Sequence, residues 1–463
     1  MALTLPVRNR AVSANLRAVV LVASTAAVVY LLASHGARPV EAAAAAAIVL
    51  LLAAAAVRWP GAAMCGALVV IVAIPVYWGR PVVGAAIVAV PSTVAAVVLA
   101  PAAAPMLRRL RLQPLDYWYA GFVLVLALAA LVNVTHPIGA SVGILWRFFL
   151  PYVVWRLVAL RWLSWDTVLR VLLFVGTALA VFGINERATG RNLLFTLLPS
   201  GYQGGQWAHS IYRDHVIRVE GSFGEPISFG LFLAVCVIAA ITVAISAKGM
   251  LLRWFAVAGG VVMMVAIVDT QSRTALAAVL VGSAVQWIRL WSTRRAGRLL
   301  VIGLLAAAAA VLSPLGAEVQ NAMASTSGSS LAAKSAQYRL SVLDVLTEPS
   351  QYTLIGHASD TASGLRDLAT SESGLKSLDN EYAYALTTSG ALGLGAFVGL
   401  ALTLLWSAVR SRERQLGARA IGSAFAVIAI ALLTVALLTQ FADFFGIGIA
   451  LLAATRQRER EAV

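Results

Sequence analysis

Apolar segments about as long as a lipid bilayer is thick recur along most of the chain, and they limit its fold more than any other feature. Crossing about 30 Å of hydrocarbon takes roughly 20 residues of α-helix, and runs near that length recur from Leu16 almost to the end of the 463 residues. The chain is 60% hydrophobic and only 12% charged, a bias that no soluble core of ordinary size absorbs. Because open sheet edges cannot be satisfied in lipid, the sequence predicts an all-α, polytopic transmembrane helical bundle.

The basic residues are spread between the apolar segments instead of forming one basic patch. The formal net charge of +15 would by itself suggest a nucleic-acid partner. The Lys and Arg residues, however, fall in small groups in every second connection, as at Arg108, Arg109 and Arg111. This is the positive-inside pattern of membrane proteins. We therefore expect no nucleic-acid partner, and we expect both termini to lie in the cytoplasm.

Placing the basic connections in the cytoplasm predicts about fourteen crossings, or twelve to thirteen if short runs are re-entrant. The predicted spans are residues 16–34, 39–57, 61–77, 82–106, 117–134, 140–161, 167–184, 226–247, 254–271, 274–291, 299–315, 381–409 and a final pair within 419–455.

Two connections are much longer than the others, and both fall on the predicted outer face. Loops longer than about 15 residues are usually functional or disordered. The second loop contains YRLSVLDVLTEPS, whose leucine spacing predicts a short amphipathic helix. The chain is thus expected to comprise N-terminal transmembrane helices (1–184), a first extracytoplasmic loop (185–225), central transmembrane helices (226–315), a second extracytoplasmic loop (316–380), and C-terminal transmembrane helices with a basic cytoplasmic tail (381–463).

The stretch IRVEGSFGEPISFG, residues 217–230, places charges and glycines directly before an apolar run. Pro226 suits the first position of a helix, and Glu225 suits the positive end of the helix dipole. A well-formed helix start therefore explains these two residues. It does not explain Arg218, or Gly221 and Gly224, which would allow backbone to approach a ligand closely.

Arginines on the predicted outer face run against the positive-inside rule, so each requires an explanation. Arg273 opens a helix, where a guanidinium beside exposed N–H groups makes an anion site. With Arg213, Arg218 and Arg339, it would match the oxygens of a diphosphate in pairs. Arg147 lies about two turns inside its helix and is expected to line an internal cavity or to be paired. Snorkelling or salt bridging is the alternative for each arginine.

Sequence patterns typical of metal-dependent or ion-coupled membrane proteins are missing from the chain. It contains no HExxH motif and no closely spaced Cys/His set. The first outer connection has only Glu41, without the acidic pair by which many multispan glycosyltransferases bind a metal. Asp269 and Asp443 lie close to the outer ends of their apolar runs, which disfavours a proton- or sodium-coupled transporter. We expect neither a metal nor a cofactor.

Polar residues and glycines also cluster around the end of the second long loop. Asp379 and Asn380 precede an apolar run, and capping of the following helix is their simplest role. Gly390 and Gly393 within that run allow close helix packing. His357 lies earlier in the loop and is either a turn residue or a group with a chemical role.

Four short patterns follow one another between about residues 200 and 400. They are Arg218 with the GSFGEP turn that opens a helix, SRT at 272–274, YR…P…IGH with Tyr338, Arg339, Pro349 and Gly356, and DN followed by nine residues and GxxG, with Asp379, Asn380, Gly390 and Gly393. In this order they resemble the O-antigen ligase and polymerase superfamily, membrane enzymes that join undecaprenyl-diphosphate-linked glycans outside the cytoplasmic membrane.

The resemblance implies a GT-C-like fold in the bacterial cytoplasmic (inner) membrane and metal-independent glycosyl transfer. A glycan carried on undecaprenyl diphosphate would pass to an acceptor sugar hydroxyl on the outer side, with a chain-length regulator or a flippase as possible partners. Ligases of the family typically carry His before the Asn, where this chain has Asp379. That departure favours a polymerase of the O-antigen, capsule or exopolysaccharide type, with a ligase as the alternative.

In the predicted mechanism, arginines stabilise the departing lipid diphosphate, where the largest negative charge develops. These arginines are Arg218, Arg273 and Arg339, assisted by Arg213 and Arg147. Asp379 accepts the proton of the attacking hydroxyl, with His357 or Glu225 as the other candidates. A polytopic transporter or a flippase for lipid-linked glycans is the competing class. The crowding of unusual polar residues on the outer face favours the enzyme.

Overall fold

The structure is a computed structural model. The described residues are 39–75, 81–83, 87–88, 91–134, 136–196, 211–213, 216–290, 353–356, 381–410, 415–433, 435, 437 and 439–462. Four of the predicted site residues, Arg339, His357, Asp379 and Asn380, lie outside the described residues. So does the predicted amphipathic helix of the second loop.

The described part of the chain is mostly helical, with two short antiparallel strand pairs. Its elements are α1 (Pro39–Arg58), α2 (Pro60–Ala73), β1 (Pro81–Val83), β2 (Ile87–Val88), α3 (Pro91–Ala103, continued by a 3₁₀ turn over Ala104–Arg109), α4 (Pro114–Asn133), α5 (Pro137–Ile144), a π-helical turn (Leu145–Phe149), α6 (Leu150–Trp162), α7 (Trp165–Thr189), α8 (Leu193–Thr196), β3 (Tyr212–Arg213), β4 (Val216–Ile217), α9 (Pro226–Ser246), α10 (Met250–Asp269), α11 (Arg273–Leu290), α12 (Glu381–Arg410), α13 (Leu416–Ala431) and α14 (Thr439–Glu461).

Seven helices among the described residues are long and apolar enough to cross a membrane. They cover Pro91–Arg109, Pro114–Asn133, Pro137–Trp162, Trp165–Thr189, Pro226–Ser246, Met250–Asp269 and Glu381–Ala408. Shorter apolar helices cover Ala47–Arg58, Pro60–Ala73, Arg273–Gln286 and Leu416–Ala431. The prediction of a helical membrane protein is confirmed at this level. The total of twelve to fourteen crossings, the side on which the termini lie and the GT-C-like arrangement stay predictions.

Two helix boundaries differ from the predicted spans. The span expected over 82–106 begins instead at Pro91, because the strands β1 and β2 precede it. Pro91 then takes the first helical position, where its missing N–H costs nothing. At the other boundary, α7 continues to Thr189, past the end predicted at residue 184. Glu186 and Arg187 therefore belong to a helix and not to the first long loop.

The chain divides into two compact units, with boundaries inside α7 and α14. The first unit comprises residues up to Val168 together with Ala442–Val463. The second unit comprises Leu169–Phe441. The four patterns that carry the family resemblance all fall within the sequence of the second unit.

A buried ion pair joins three helices of the first unit. Arg156 Nε donates to Asp116 Oδ1 at 3.0 Å, and both side chains are at most 4% exposed. Asp116 also accepts hydrogen bonds from the Tyr152 hydroxyl at 2.6 Å and from the Gln113 backbone N–H at 2.6 Å. Arg156 Nη2 donates to Gln457 Oε1 at 2.9 Å. These hydrogen bonds and the ion pair connect α4, α6 and α14, and hydrogen bonds to both carboxylate oxygens offset part of the cost of burying the charges.

Helix α9 forms the core of the second unit and packs against α10, α11 and α13. Almost all of its side chains are buried. Two glycines allow α11 to approach it closely. A Cβ at Gly230 would lie 2.8 Å from the Ala275 Cβ, and a Cβ at Gly282 would lie 2.5 Å from Ile238 Cδ1. This close packing holds α11, which begins at Arg273, against α9.

Removal of the buried Arg156 guanidinium should destabilise the protein strongly. We expect Arg156→Ala to lower the free energy of unfolding by about 3–5 kcal/mol, because it leaves the buried Asp116 carboxylate uncompensated. Arg111→Ala is the matched control, since the Arg111–Glu461 pair is 3.9 Å long with side chains 78% and 44% exposed, and such pairs contribute at most about 1 kcal/mol. Thermal unfolding of the purified protein in detergent measures both. Equal melting temperatures for the two variants would contradict the structural role of the buried pair.

Candidate functional site

The turn in GSFGEP depends on two glycines with left-handed backbone. Gly221 has φ of +56° and Gly224 has φ of +64°, a region that side chains rarely adopt. A Cβ at Gly221 would also lie 2.8 Å from the ring of Phe229. The turn and the contact with Phe229 therefore require glycine at residue 221 whether or not a ligand approaches it.

Glu225 and Pro226 start helix α9 as the sequence predicts. Glu225 is the N-cap, with extended backbone, and its Oε2 accepts the Ser228 backbone N–H at 2.5 Å. Pro226 follows at the first helical position. Glu225 is 8% exposed, so its carboxylate is committed to the helix start.

Side chains from the end of α7 hold this turn by its backbone. The Glu186 carboxylate accepts the backbone N–H of Gly221 at 3.0 Å and that of Glu220 at 3.4 Å. Asn192 Nδ2 donates to the Gly221 carbonyl at 2.9 Å. Glu186 is 1% exposed and Asn192 is 2% exposed. Since both partners are backbone groups, no residue pattern in the sequence identifies Glu186 or Asn192 as site residues.

Arg218 connects the GSFGEP segment to the turn that precedes Arg273. Its Nε donates to the Thr270 carbonyl at 3.1 Å, and its backbone N–H donates to the Ile211 carbonyl at 2.8 Å. Thr270 lies three residues before Arg273, the first residue of α11. Gln271, between them, has φ of +53°, which is uncommon for a residue other than glycine. Two of the predicted diphosphate-binding arginines are thus tied to one tight turn.

Arg187, the residue after Glu186 in α7, makes a second set of contacts, with the segment before Arg218 and with the end of α10. Arg187 Nη1 donates to the Ile217 carbonyl at 3.2 Å, and Arg187 Nε lies 3.8 Å from Asp269 Oδ1. The Val219 backbone N–H donates to the Asp269 carbonyl at 3.2 Å. The segment from Ile217 to Val219, which carries Arg218, is therefore held between the end of α7 and the end of α10.

The connection between α13 and α14 links this turn to the start of α12. Glu381, the first residue of α12, accepts the Leu437 backbone N–H through Oε2 at 2.6 Å and donates its own N–H to the Leu432 carbonyl at 3.0 Å. A few residues later, Gln440 Nε2 donates to the Ser222 carbonyl.

Helix α12 is broken at Gly390, and a loop segment occupies the break. Gly390 has φ of 68° and ψ of −168°, and a Cβ there would lie 2.6 Å from the Leu354 carbonyl oxygen. The backbone N–H groups of Ala391 and Leu392 donate to the carbonyls of Thr353 and Leu354, at 2.9 and 3.3 Å. Gly390 thus allows close packing as predicted, but against the loop 353–356.

The break does not leave an open helix terminus at Ala391 and Leu392. Broken helices in transporters direct free N–H groups at an anionic substrate. Here the carbonyls of Thr353 and Leu354 already accept these N–H groups. Gly393 has a local role, because a Cβ at that position would meet the side chain of Ser389. The break therefore anchors the IGH pattern to the GxxG pattern.

The remaining predicted site residues are not brought to this turn by any described contact. Arg147 lies in the first unit, where it pairs with Asp443 at 3.7 Å. Arg213 lies in β3, paired with Val216 of β4. Four predicted site residues lie outside the described residues: Arg339, His357, Asp379 and Asn380. Among the residues that are described, no group of three or more His, Cys, Asp or Glu side chains could hold a metal ion.

Burial raises the pKa of two carboxyl groups beside Arg218. The pKa of Glu220 is raised to about 8 by burial, further raised by the nearby carboxyl groups of Glu186 and Glu225, and partly lowered by Arg218 and by the Ile211 backbone N–H. Burial likewise raises the pKa of Glu225, against the lowering effect of Arg218. Glu220 is therefore mostly protonated at neutral pH. The positive charge of Arg218 is not cancelled by a full carboxylate charge at Glu220.

Comparison of the chain with protein-family models and with curated protein sequences finds no match. A functional assignment therefore depends on the four sequence patterns and on the contacts of the residues within them.

Alanine substitutions at three glycines should separate backbone strain from steric conflict. Gly221→Ala should cost about 1–2 kcal/mol for its left-handed backbone and a further 1–3 kcal/mol for overpacking against Phe229. Gly190→Ala should cost only the first amount, because Gly190 has φ of +68° but no neighbour within 4 Å. Gly395→Ala, inside α12 and in open space, should be neutral or stabilising by up to about 1 kcal/mol. Thermal unfolding of the three variants tests this order. Equal stability of Gly221→Ala and Gly190→Ala would show that the contact with Phe229 adds no cost.

The raised pKa of Glu220 should make stability fall with rising pH. A carboxyl with a native pKa of about 8 and an ordinary value of 4.5 stabilises fully below about pH 4.5, and this contribution is lost as the pH rises to about 8. Melting temperatures measured from about pH 5 to about pH 9 should therefore decline. Glu220→Gln, which keeps the shape and cannot ionise, should flatten the decline. An unchanged slope in this variant would show that Glu220 is not the group responsible.

Proposed function

We propose that the protein is a metal-independent glycosyltransferase. It takes a glycan linked to a polyprenyl diphosphate, of the undecaprenyl type, and transfers it to a sugar hydroxyl on the outer side of the cytoplasmic membrane. Its role is then that of a polysaccharide polymerase of the O-antigen, capsule or exopolysaccharide type. A ligase that uses the same chemistry on a different acceptor is the nearest alternative.

The observation that supports this proposal is a set of hydrogen bonds, within one unit, made by residues that lie in or beside the described parts of the four sequence patterns. Arg218 donates to the Thr270 carbonyl next to SRT. The Ser222 carbonyl and Glu381 are joined through the 432–440 connection. The loop containing Gly356 fills the break at Gly390. These contacts join segments that are far apart in sequence and that carry or adjoin residues of the resemblance.

In this reaction, arginines of the second unit stabilise the negative charge that develops on the leaving diphosphate. The acceptor hydroxyl oxygen attacks the anomeric carbon, the bond from that carbon to the diphosphate oxygen breaks, and the bonding electrons leave with the diphosphate. Arg218 and Arg273, together with Arg339 and Arg213, stabilise this negative charge. Arg147 is omitted from the set because Asp443 balances its charge.

Asp379 accepts the proton that the attacking hydroxyl releases. A carboxylate is a weak base, but it suffices when the bond to the leaving group is largely broken and the sugar carries oxocarbenium character. Glu225 is less suited to this role, because its carboxylate caps α9. The raised pKa of Glu220 reduces the negative charge beside Arg218 at neutral pH, which favours binding of a diphosphate.

Substitutions at the proposed site should abolish polymer formation without removing the protein. We expect Arg218→Ala and Arg273→Ala each to lower the transfer rate about 10²–10³-fold, the usual effect of losing one donor to a developing anion. Arg339→Ala and Asp379→Ala should have effects of similar size. Arg191→Ala is the matched control, because Arg191 is exposed and lies outside the proposed set. The measurement is glycan length analysis in a gene-deletion strain that expresses each variant at equal levels.

A reconstituted assay separates the competing classes. Proteoliposomes containing the purified protein and a polyprenyl-diphosphate-linked oligosaccharide should release free polyprenyl diphosphate and form longer glycans, also in the presence of EDTA. Longer glycans identify a polymerase, whereas a single transfer to another lipid or protein acceptor identifies a ligase. Movement of the intact lipid-linked glycan across the bilayer, with no new glycosidic bond, would overturn the proposal in favour of a flippase.

A further inference from the structure

Arginines from three separate parts of the chain lie at one end of the first unit. Arg58 ends α1, and Arg161 lies in the last turn of α6. Arg108 and Arg109 close the 3₁₀ turn that continues α3, and Arg111 lies in the short link to α4. The side chains of all five are exposed. These five residues are called the arginine surface below.

Hydrogen bonds between helix ends hold the link from α3 to α4 in place. Arg156 Nη2, in α6, donates to the Arg111 carbonyl at 3.1 Å. The Arg111 backbone N–H donates to Gln457 Oε1, in α14, at 3.1 Å. Gln457 Nε2 donates in turn to the Arg109 carbonyl. The backbone that carries three of the arginines is therefore fixed against α6 and against the last turns of α14.

The start of α2 meets the end of α6 and adds Arg58 to the same end of the unit. A Cβ at Gly61 would lie 4.0 Å from the Trp162 carbonyl oxygen, so Arg58 lies near the last turn of α6. The guanidinium carbon of Arg58 is 5.4 Å from the centre of the Trp59 ring, and that of Arg161 is 5.5 Å from the centre of the Trp162 ring. Aromatic and cationic side chains of this kind are typical of the headgroup level of a membrane.

The arginine surface also lies where membrane-length helices end. The apolar helices Pro91–Arg109 and Pro137–Trp162 end there, and Pro114–Asn133 begins there. Because helices of this length extend across the hydrocarbon layer, residues at their ends lie at the level of the lipid headgroups. The exposed side chains that border the arginines are aromatic or apolar, namely Trp59, Leu107, Leu112, Tyr117 and Trp118.

Acidic side chains do not balance the positive charge at this end of the unit. The described segments 58–60, 107–118, 159–168 and 455–462 contain eight arginines. Apart from Asp116, which pairs with Arg156, their acidic residues are only Asp166, Glu459 and Glu461. The Arg111–Glu461 pair is 3.9 Å long and largely exposed, so it is weak. This end of the unit is therefore positively charged and attracts anions.

The location of the charge favours a phospholipid over a soluble polyanion as the partner. Guanidinium groups match phosphate oxygens in pairs, and at the level of the headgroups the nearest phosphates are those of the lipids. The bordering apolar side chains would contact acyl chains, which a soluble polyanion lacks. Basic clusters at the ends of transmembrane helices are a recognised binding mode for anionic headgroups.

We propose that the arginine surface binds the headgroups of anionic phospholipids, with Arg108, Arg109 and Arg161 on the lipid phosphate and the bordering tryptophan and leucine side chains on the acyl chains. The first unit is then held at a defined depth in the membrane by lipids of one charge class. This inference does not depend on glycosyl transfer, because it concerns lipid binding by the first unit and its test measures no turnover.

Native mass spectrometry of the full-length protein in detergent tests the proposal. Phosphatidylglycerol and phosphatidylcholine with identical acyl chains are titrated separately, and the fraction of protein carrying each number of lipids gives an apparent Kd. We expect phosphatidylglycerol to bind at least about tenfold more tightly, and each arginine replaced by glutamine to weaken it about fivefold. The variants are Arg161→Gln and the double variant Arg108→Gln with Arg109→Gln.

Two control variants separate charge at this surface from charge elsewhere. Arg161→Lys keeps the charge and should retain most of the preference for phosphatidylglycerol. Arg191→Gln removes an exposed arginine just beyond the other end of α7, and it should leave the apparent Kd unchanged.

Any of four results would overturn the proposal. The first is equal affinity for the two lipids. The second is a loss of affinity in Arg191→Gln as large as that in Arg161→Gln. The third is displacement of phosphatidylglycerol by excess soluble glycerol phosphate, which would identify a site for soluble anions. The fourth is an unchanged lipid preference with a lower melting temperature in the glutamine variants, which would show that these arginines only stabilise the helix ends.

Discussion

The Glu186 carboxylate, held at the end of α7, fixes the backbone on which the candidate site depends. Through its two oxygens it accepts the N–H groups of Glu220 and Gly221, at a point where Gly221 must take a left-handed conformation. This places Glu225 and Pro226 at the start of α9 and directs Arg218 toward the turn before Arg273. A buried carboxylate is costly unless it is hydrogen-bonded, so the arrangement that satisfies Glu186 also determines the turn.

Backbone groups, more than side-chain pairs, hold the second unit together around this turn. Arg218, Arg187, Asn192 and Gln440 each donate from a side chain to a main-chain carbonyl. At the break in α12, main-chain carbonyls of one segment accept main-chain N–H groups of another. In a membrane protein, irregular backbone is tolerated only where such partners exist or where it lines a cavity. In the described part of the chain, the irregular segments at Gly221 and Gly390 therefore have specific hydrogen-bond partners.

The two ion pairs of the first unit illustrate how similar residues serve different purposes. Asp116 and Arg156 are surrounded by hydrogen-bond partners from three helices, which is the condition under which a buried pair contributes to a unique structure. The Asp443 carboxylate is equally buried, but its partner Arg147 lies 3.7 Å away and is 34% exposed. The chemical identity of the side chains is the same in both cases. Their surroundings decide how closely each pair is held, at 3.0 Å for Arg156–Asp116 and 3.7 Å for Arg147–Asp443.

The sequence by itself determined the helical membrane class, the start of α9 at Pro226, the start of α11 at Arg273 and the start of α12 at Glu381, since hydrophobic runs, prolines and charges are local signals. It also indicated that Gly221, Gly224 and Gly390 have special backbone roles, because glycine is the residue that such conformations need. Only the tertiary structure decided which groups meet. The Glu186 clamp, the link from Gln440 to Ser222, the loop inside α12 and the pairing of Arg147 with Asp443 all join residues distant in sequence, and most involve backbone atoms that every residue possesses. A sequence read one residue at a time cannot specify such contacts, because they arise when separate helices pack together.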